Sequence, residues 1–228
     1  MRSLKPIALS LAVLAASASN AAAHSLDEVA AQLGDREQYF QPIDRDAPPF
    51  ALKDAEGRAV GLEDLRGKVA VLHFVYTSCP DVCPLHAERI AEIQEMVNQT
   101  PMRELVQFVT ITTDPGHDTP EVMREYGPAH GLDPVNWMFL TSDPDQPEDT
   151  TRNLAERFGH TFTRTEGGYQ THGVVTHVID REGRWQANFH GLKFDPTNLV
   201  VYVNALTNAH GGEGHPAPGW WEQIRSLF

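Results

Sequence analysis

Cysteine is scarce in this chain: two residues, Cys79 and Cys83, stand four positions apart in 228 residues. This scarcity excludes a disulfide-rich scaffold, and it also excludes an iron–sulfur cluster, which needs four cysteine-type ligands. A disulfide between the two would enclose three intervening residues, and so short a loop stabilises a fold little. The pair is therefore expected to serve chemistry.

Positive charge is also in short supply, with 18 Lys and Arg against 31 Asp and Glu and a formal net charge of −13. No basic run interrupts this acidic balance. The composition argues against nucleic acid and against anionic membranes as partners.

Long apolar runs are missing too, since none reaches the roughly 20 residues that span a bilayer. The segment Ile7–Ala16 is apolar, follows Arg2 and Lys5, and precedes the small residues Ala21–Ala23. This pattern is typical of an export signal, so residues 1–23 are predicted to be a cleaved signal peptide. The sequence thus indicates a periplasmic protein without a stable membrane anchor, and a retained anchor is the alternative.

Two continuous apolar runs rich in β-branched residues, Val69–Tyr76 and Val106–Thr112, predict strands buried on both faces. Helical patterns follow each of them, over Leu85–Asn98 and from Thr119 onward. Up to Thr207, the order of the predicted strands and helices is β-α-β-α-β-α-β-β-α. It predicts an α/β, thioredoxin-like fold whose central mixed sheet is flanked by helices.

The domain limits follow from the same pattern. Prolines break up residues 24–48, which we interpret as a lead-in and N-terminal extension. The thioredoxin-like domain is expected over 49–208. A Gly-, Pro- and His-rich tail is expected over 209–228.

The two cysteines lie in Cys79-Pro80-Asp81-Val82-Cys83-Pro84, where a buried strand is predicted to turn into a helix. A helix N-terminus favours thiolate over thiol. Redox pairs of the thioredoxin type have two residues between the cysteines, whereas here there are three, which places both sulfurs on one helical face. Few, soft ligands in an exported protein favour copper over zinc or a cluster.

A third copper ligand is expected to be a histidine. His172 precedes the apolar run Gly173–Ile179, and His86 stands one turn after Cys83. Spacing alone does not separate these two candidates. His73 and His177 lie inside predicted strands, where a histidine is usually a packed residue.

The motif Thr77–Pro84, together with Thr112–Pro115 and Asp118-Thr119, resembles the Sco/SenC copper chaperone family. A histidine followed by an apolar strand and the turn Asp180–Gly183 completes the resemblance, which runs from about Phe50 to Leu206. The resemblance implies a thioredoxin-like fold. It also implies a role in supplying the copper A centre of cytochrome c oxidase, or in reducing the cysteines of that centre.

By this resemblance, Cys79, Cys83 and His172 are the metal ligands, for Cu(I) and also for Cu(II). Many family members carry Asp before the ligand histidine, whereas this chain has Thr171. The function predicted is therefore that of a periplasmic copper metallochaperone. Its partner would be a cytochrome c oxidase subunit or another periplasmic copper protein.

The alternative function is that of a thiol–disulfide oxidoreductase. In this interpretation Cys79 is the attacking thiolate, Cys83 is the resolving thiol, and the histidine is not needed.

Overall fold

The computed structural model describes residues 26–165 and 168–209, and side chains only outside 164–172. The predicted signal peptide and nearly all of the predicted tail lie outside the described residues. Within the described ranges, no helix is long and apolar enough to cross a membrane.

Five α-helices and ten strands alternate along these residues. The helices are α1 Leu26–Arg36, α2 Val82–Asn98, α3 Pro120–Ala129, α4 Thr150–Arg157 and α5 Pro196–Asn208. The strands are β1 Phe40–Asp46, β2 Ala51–Asp54, β3 Ala59–Gly61, β4 Val69–Val75, β5 Val106–Thr112, β6 Trp137–Thr141, β7 Thr161–Thr165, β8 Gly168–His172, β9 Val175–Ile179 and β10 Arg184–His190. Short 3-10 turns cover Leu62–Leu65 and Pro101–Glu104.

Eight strands form one mixed sheet in the order β1-β10-β9-β4-β5-β6-β2-β3. Strands β4, β5 and β6 are parallel, β9 runs antiparallel to β4, and β2 runs antiparallel to β6. Helices α1, α2, α3 and α5 contribute to the core on one face, and α4 contributes to the core on the other. This central mixed sheet flanked by helices confirms the predicted thioredoxin-like α/β class.

The two central strands β4 and β5 are buried at every position. Their bounds agree with the apolar runs that predicted them, because a strand covered on both faces needs no polar side. Their carboxyl ends, near Val75 and Thr112, lie side by side in the parallel pair.

Strand β1 was not anticipated, because its Pro42 argues against a strand. The structure places β1 at the edge of the sheet, where Pro42 pairs with Ala187 of β10. Proline is tolerated at an edge because its missing N–H faces away from the sheet.

Side chains cap the starts of two helices. The Thr119 hydroxyl accepts from the Val122 N–H at 3.5 Å, with Pro120 as the first residue of α3. The Asp195 carboxylate accepts from the Thr197 N–H at 2.8 Å and caps α5 in the same way. Helix α2 begins earlier than its apolar pattern suggested, at Val82, so Cys83 lies in its first turn.

The hairpin of β7 and β8 is a second unanticipated element and forms a separate two-stranded sheet. The backbone of His172 pairs with that of Thr161 at the open end of this hairpin. His172 therefore ends β8 and does not start the next strand, and Gly173, with φ of +90°, reverses the chain before β9.

Candidate metal centre

The two cysteines lie at the turn that joins β4 to α2. The Cys79 N–H donates to the Tyr76 carbonyl at 3.1 Å, which tightens the turn after the strand. The Cys83 N–H, at the helix start, donates to the Cys79 sulfur at 3.4 Å. Both thiols are free and both residues are buried, with exposures of 5% and 7%. The turn therefore brings two soft donors together beneath the surface.

The two thiols differ in acidity. Burial by itself raises the pKa of Cys79, but hydrogen bonds from the Cys83 thiol and from the backbone N–H groups of Asp81 and Cys83 lower it below its ordinary value. Burial raises the pKa of Cys83, and its hydrogen bond to Cys79 raises it further. Cys79 is thus the more acidic thiol of the pair and Cys83 the less acidic one.

A buried carboxylate, Asp118, lies behind this turn. It accepts hydrogen bonds from the Thr77 N–H at 3.3 Å, from the Thr77 hydroxyl and from the Thr112 hydroxyl. Asp118 is 1% exposed, and burial raises its pKa. Its carboxylate links the loop after β5 to the turn that carries Cys79.

Tyr126 of α3 supports the same turn from the other side. Its hydroxyl donates to the Cys83 carbonyl at 3.3 Å, and burial raises the pKa of this phenol. The contact fixes the first turn of α2 against α3.

His86, one of the two histidines that spacing suggested as a ligand, points into the core. Its Nε2 atom lies 2.9 Å from the Thr176 hydroxyl on β9, and its ring lies 4.8 Å from that of His73. The residue is 2% exposed. Its hydrogen bond is to a strand of the sheet. His73 and His177 are fully buried, in accordance with the interpretation of them as packed residues.

His172 is described only as backbone, and its side chain lies outside the described part of the structure. Its location follows from the sheet register. Strand β9 runs antiparallel to β4, with Thr176 opposite His73, so the start of β9 and the end of β4 lie at the same edge of the sheet. His172 precedes β9 by three positions, and Cys79 follows β4 by four. Topology therefore places both residues at one end of the sheet.

Among the side chains that the structure describes, no cluster of three or more His, Cys, Asp or Glu could hold a metal ion. The two thiols accordingly need at least one further donor from residues outside that set if they are to form a three-ligand site.

Asp118 directly precedes Thr119, the capping residue of α3. Thr119 provides that cap, but Asp118 itself turns inward to the cysteine loop. No local sequence pattern predicts the contact between Asp118 and Thr77, because the two residues are 41 positions apart in the sequence.

A family model described as SCO1/SenC matches residues 40–208 of this chain. The SCO2-like protein RP587 of Rickettsia prowazekii is 31% identical over 144 residues, which are 62% of this chain and 68% of that protein.

Solved structures show the same relationship. A SCO1/SenC family lipoprotein from Bacillus anthracis superposes with a TM-score of 0.65 at 27% identity, covering 74% of this chain and 98% of that one. Bradyrhizobium japonicum ScoI with copper bound superposes with a TM-score of 0.58 at 28% identity, covering 71% of this chain and 99% of that one.

Proposed function

This chain belongs to the SCO1/SenC family, and on that premise we propose that it binds one copper ion as cargo and passes it to a partner protein in the periplasm. The observation that carries the proposal is the pair of free thiols at the start of α2, where the Cys83 N–H points at the Cys79 sulfur. A similar protein, Bradyrhizobium japonicum ScoI, has been solved with copper bound.

The donor set fits copper by its chemistry. Two thiolate-forming sulfurs are soft ligands, and a site with only two or three ligands is sufficient for Cu(I). The chain contains no further cysteine, so a four-sulfur zinc or iron site cannot form within it. An imidazole as third donor would also accommodate Cu(II).

We assign the third donor to His172. Support comes from the register that brings the start of β9, three residues after His172, to the same edge of the sheet as the end of β4. It also comes from the hydrogen bond of His86 to Thr176, which engages the rival imidazole inside the core.

The partner in this proposal is a copper-receiving protein, either a cytochrome c oxidase subunit with a copper A centre or another periplasmic copper protein. An incoming thiolate of the partner can bind copper before the three ligands here have released it. Residues 1–23 serve as the export signal in the proposal.

Copper stoichiometry and affinity of the purified, reduced protein test the ligand set. We expect one copper per wild-type chain, and no tight binding after Cys79→Ser or Cys83→Ser. His172→Ala should lower copper affinity more than about 100-fold, because even the loss of an outer-shell partner costs about 10- to 100-fold.

The matched control for that variant is His117→Ala. His117 is an exposed histidine in the neighbouring loop whose ring contacts Asp114 at 2.9 Å. The His117→Ala protein should bind copper as the wild type does. Equal affinities for the His172→Ala and wild-type proteins would remove His172 from the site.

The difference in acidity between the two thiols favours a second candidate function, thiol–disulfide exchange. The Cys79 thiolate would attack one sulfur of a partner disulfide, and the other partner sulfur would leave as a thiolate. The Cys83 thiol would then lose its proton and attack Cys79, which releases the partner dithiol and leaves a Cys79–Cys83 disulfide.

The two functions make different demands on His172. Reduction of a partner disulfide should survive His172→Ala and be lost in Cys79→Ser. If copper delivery is the function, both variants should fail to load the partner.

A further inference from the structure

Asp118 is a buried charge without a compensating cation among the described residues. The residue is 1% exposed, and Asp118 accepts hydrogen bonds from Thr77 and Thr112. A lone buried carboxylate is costly to keep, and hydrogen-bond donors offset only part of that cost. A purely structural tie between two loops could be made by a neutral side chain, so the charge itself calls for an explanation.

The contacts of Asp118 converge on the segment that carries the cysteines. The Thr77 N–H approaches both carboxylate oxygens at 3.3 Å, and the Thr77 hydroxyl bonds to one of them. The other oxygen bonds to the Thr112 hydroxyl, which in turn accepts from the Asp114 N–H at 2.9 Å. Thr77 stands two positions before Cys79, so this network determines where the cysteine turn leaves the sheet.

The carboxylate lies next to the segment that carries the thiols. It accepts a hydrogen bond from the Thr77 N–H, two residues before Cys79, and Asp118 and both cysteines are buried. In so poorly solvated a region, a negative charge at Asp118 is only weakly screened from the sulfurs.

We propose that Asp118 is a positioning residue of the copper site whose buried negative charge favours Cu(II) over Cu(I) at the thiol pair. The proposal rests on the proposed copper-binding function and deepens it. Reduction of bound Cu(II) by one electron removes one positive charge next to the carboxylate. A fixed negative charge nearby disfavours that change and lowers the reduction potential of the bound ion.

The charge-neutral variant Asp118→Asn tests the electrostatic part, with Asp114→Asn as its control. Asp114 lies in the same loop and loses the same charge, but its side chain is partly open to solvent. The midpoint potential of the bound copper is measured by titration with a chemical reductant that supplies the electron. We expect Asp118→Asn to raise the potential and to weaken Cu(II) binding about tenfold more than Cu(I) binding. Asp114→Asn should leave both near the wild-type values.

A second variant, Thr77→Val, separates position from charge. It removes the hydroxyl that ties the turn to Asp118 and keeps the carboxylate. Amide hydrogen exchange of residues 77–83 in the copper-free protein should become faster by about tenfold or more. The potential of bound copper should not rise in this variant, and this expectation can be checked even if Asp118→Asn does not fold.

The proposal is overturned if folded Asp118→Asn has the wild-type potential, or if Thr77→Val raises the potential. It is also overturned if exchange of residues 77–83 is unchanged in Thr77→Val. A wild-type protein that binds no copper would instead refute the proposed function. The exchange measurement on the copper-free protein would then still decide whether Asp118 positions the turn.

Discussion

The Nε2 atoms of His160 and His177 lie 2.9 Å apart in the core and form a hydrogen bond across the base of the β7–β8 hairpin. Their protonation states follow from their neighbours. The Asn188 side-chain oxygen accepts from the Trp185 N–H at 2.9 Å and from the His177 Nδ1 at 2.7 Å. His177 must therefore carry its proton on Nδ1 and accept at Nε2 from His160. The remaining nitrogen of His160, Nδ1, is buried without a partner among the described residues.

Because several of its histidines are buried, the protein should lose stability in mild acid. Burial lowers the pKa of His73 to about 3 and that of His160 to about 4, and it lowers the pKa values of His86 and His177 as well. Unfolded histidines titrate near pH 6.5. Between that pH and about 4 the unfolded chain binds more protons than the folded one. Each such histidine therefore removes about 1.4 kcal/mol of unfolding free energy per pH unit as the pH falls.

Urea unfolding at several pH values between 7 and 5 measures this slope. His160→Asn should reduce the slope by the contribution of about one proton, whatever its effect on stability at pH 7. His117→Asn is the control, because His117 is exposed and its hydrogen bond to Asp114 raises its pKa. A wild-type protein equally stable at pH 7 and pH 5 would contradict the prediction.

The two cysteines should react at different rates with an alkylating reagent. The pKa of Cys79 lies below its ordinary value and that of Cys83 lies above it. Because only the thiolate is nucleophilic, Cys79 should be modified first in the reduced, copper-free protein at pH 7. Peptide mass mapping after short exposure to iodoacetamide identifies the site, and first modification at Cys83 would disprove the assigned order.

Gly127 of α3 should tolerate no side chain. A Cβ atom at this position would lie 2.3 Å from a ring carbon of Trp137, and the indole is held by its hydrogen bond to Thr110 at 2.9 Å. Gly127→Ala should destabilise the protein by about 1–3 kcal/mol through overpacking.

Gly34→Ala in α1 is the matched control, since a Cβ there meets nothing within 4 Å. It should stabilise the protein by about 0.5–1 kcal/mol through helix propensity. Thermal and urea unfolding compare the two variants, and similar stabilities would show that the indole can move aside.

His86→Gln should leave copper stoichiometry at one per chain. The Gln side chain can still bond to Thr176, and the imidazole it replaces is directed into the core. Loss of copper binding in a folded His86→Gln protein would return His86 to the list of ligands and weaken the assignment of His172.

Much of the fold could be predicted because a strand that is buried on both faces has a continuous apolar sequence. Strands β4 and β5 are covered on both faces, so all of their residues are buried. The edge strand β1 has no continuous apolar sequence, because most of its residues are exposed and it contains Pro42. The β7–β8 hairpin was missed for a related reason, since neither of its strands contains an apolar run.

The candidate site divides in the same way. Its thiols could be predicted because both cysteines lie within one short motif, where a strand turns into a helix. Spacing does not separate His86 from His172, whereas the contact of His86 with Thr176, which supports the proposed choice of His172, is visible only in the tertiary structure. The role of Asp118 could not be predicted at all, since its contacts come from residues on other strands and loops.

The sequence by itself determined the layered α/β architecture, the exclusion of clusters that need four sulfurs, and the position of both cysteines in one short motif where a strand turns into a helix. These depend on local spacing and on the period of apolar residues, both of which are written along the chain. The tertiary structure alone decided which distant groups lie next to the cysteine turn: the carboxylate of Asp118, the phenol of Tyr126, and the start of β9 at the edge of the sheet where β4 ends. Burial and electrostatic interaction depend on distance in space. Folding brings together residues that are far apart in the sequence, and their sequence separation does not predict that they will be close.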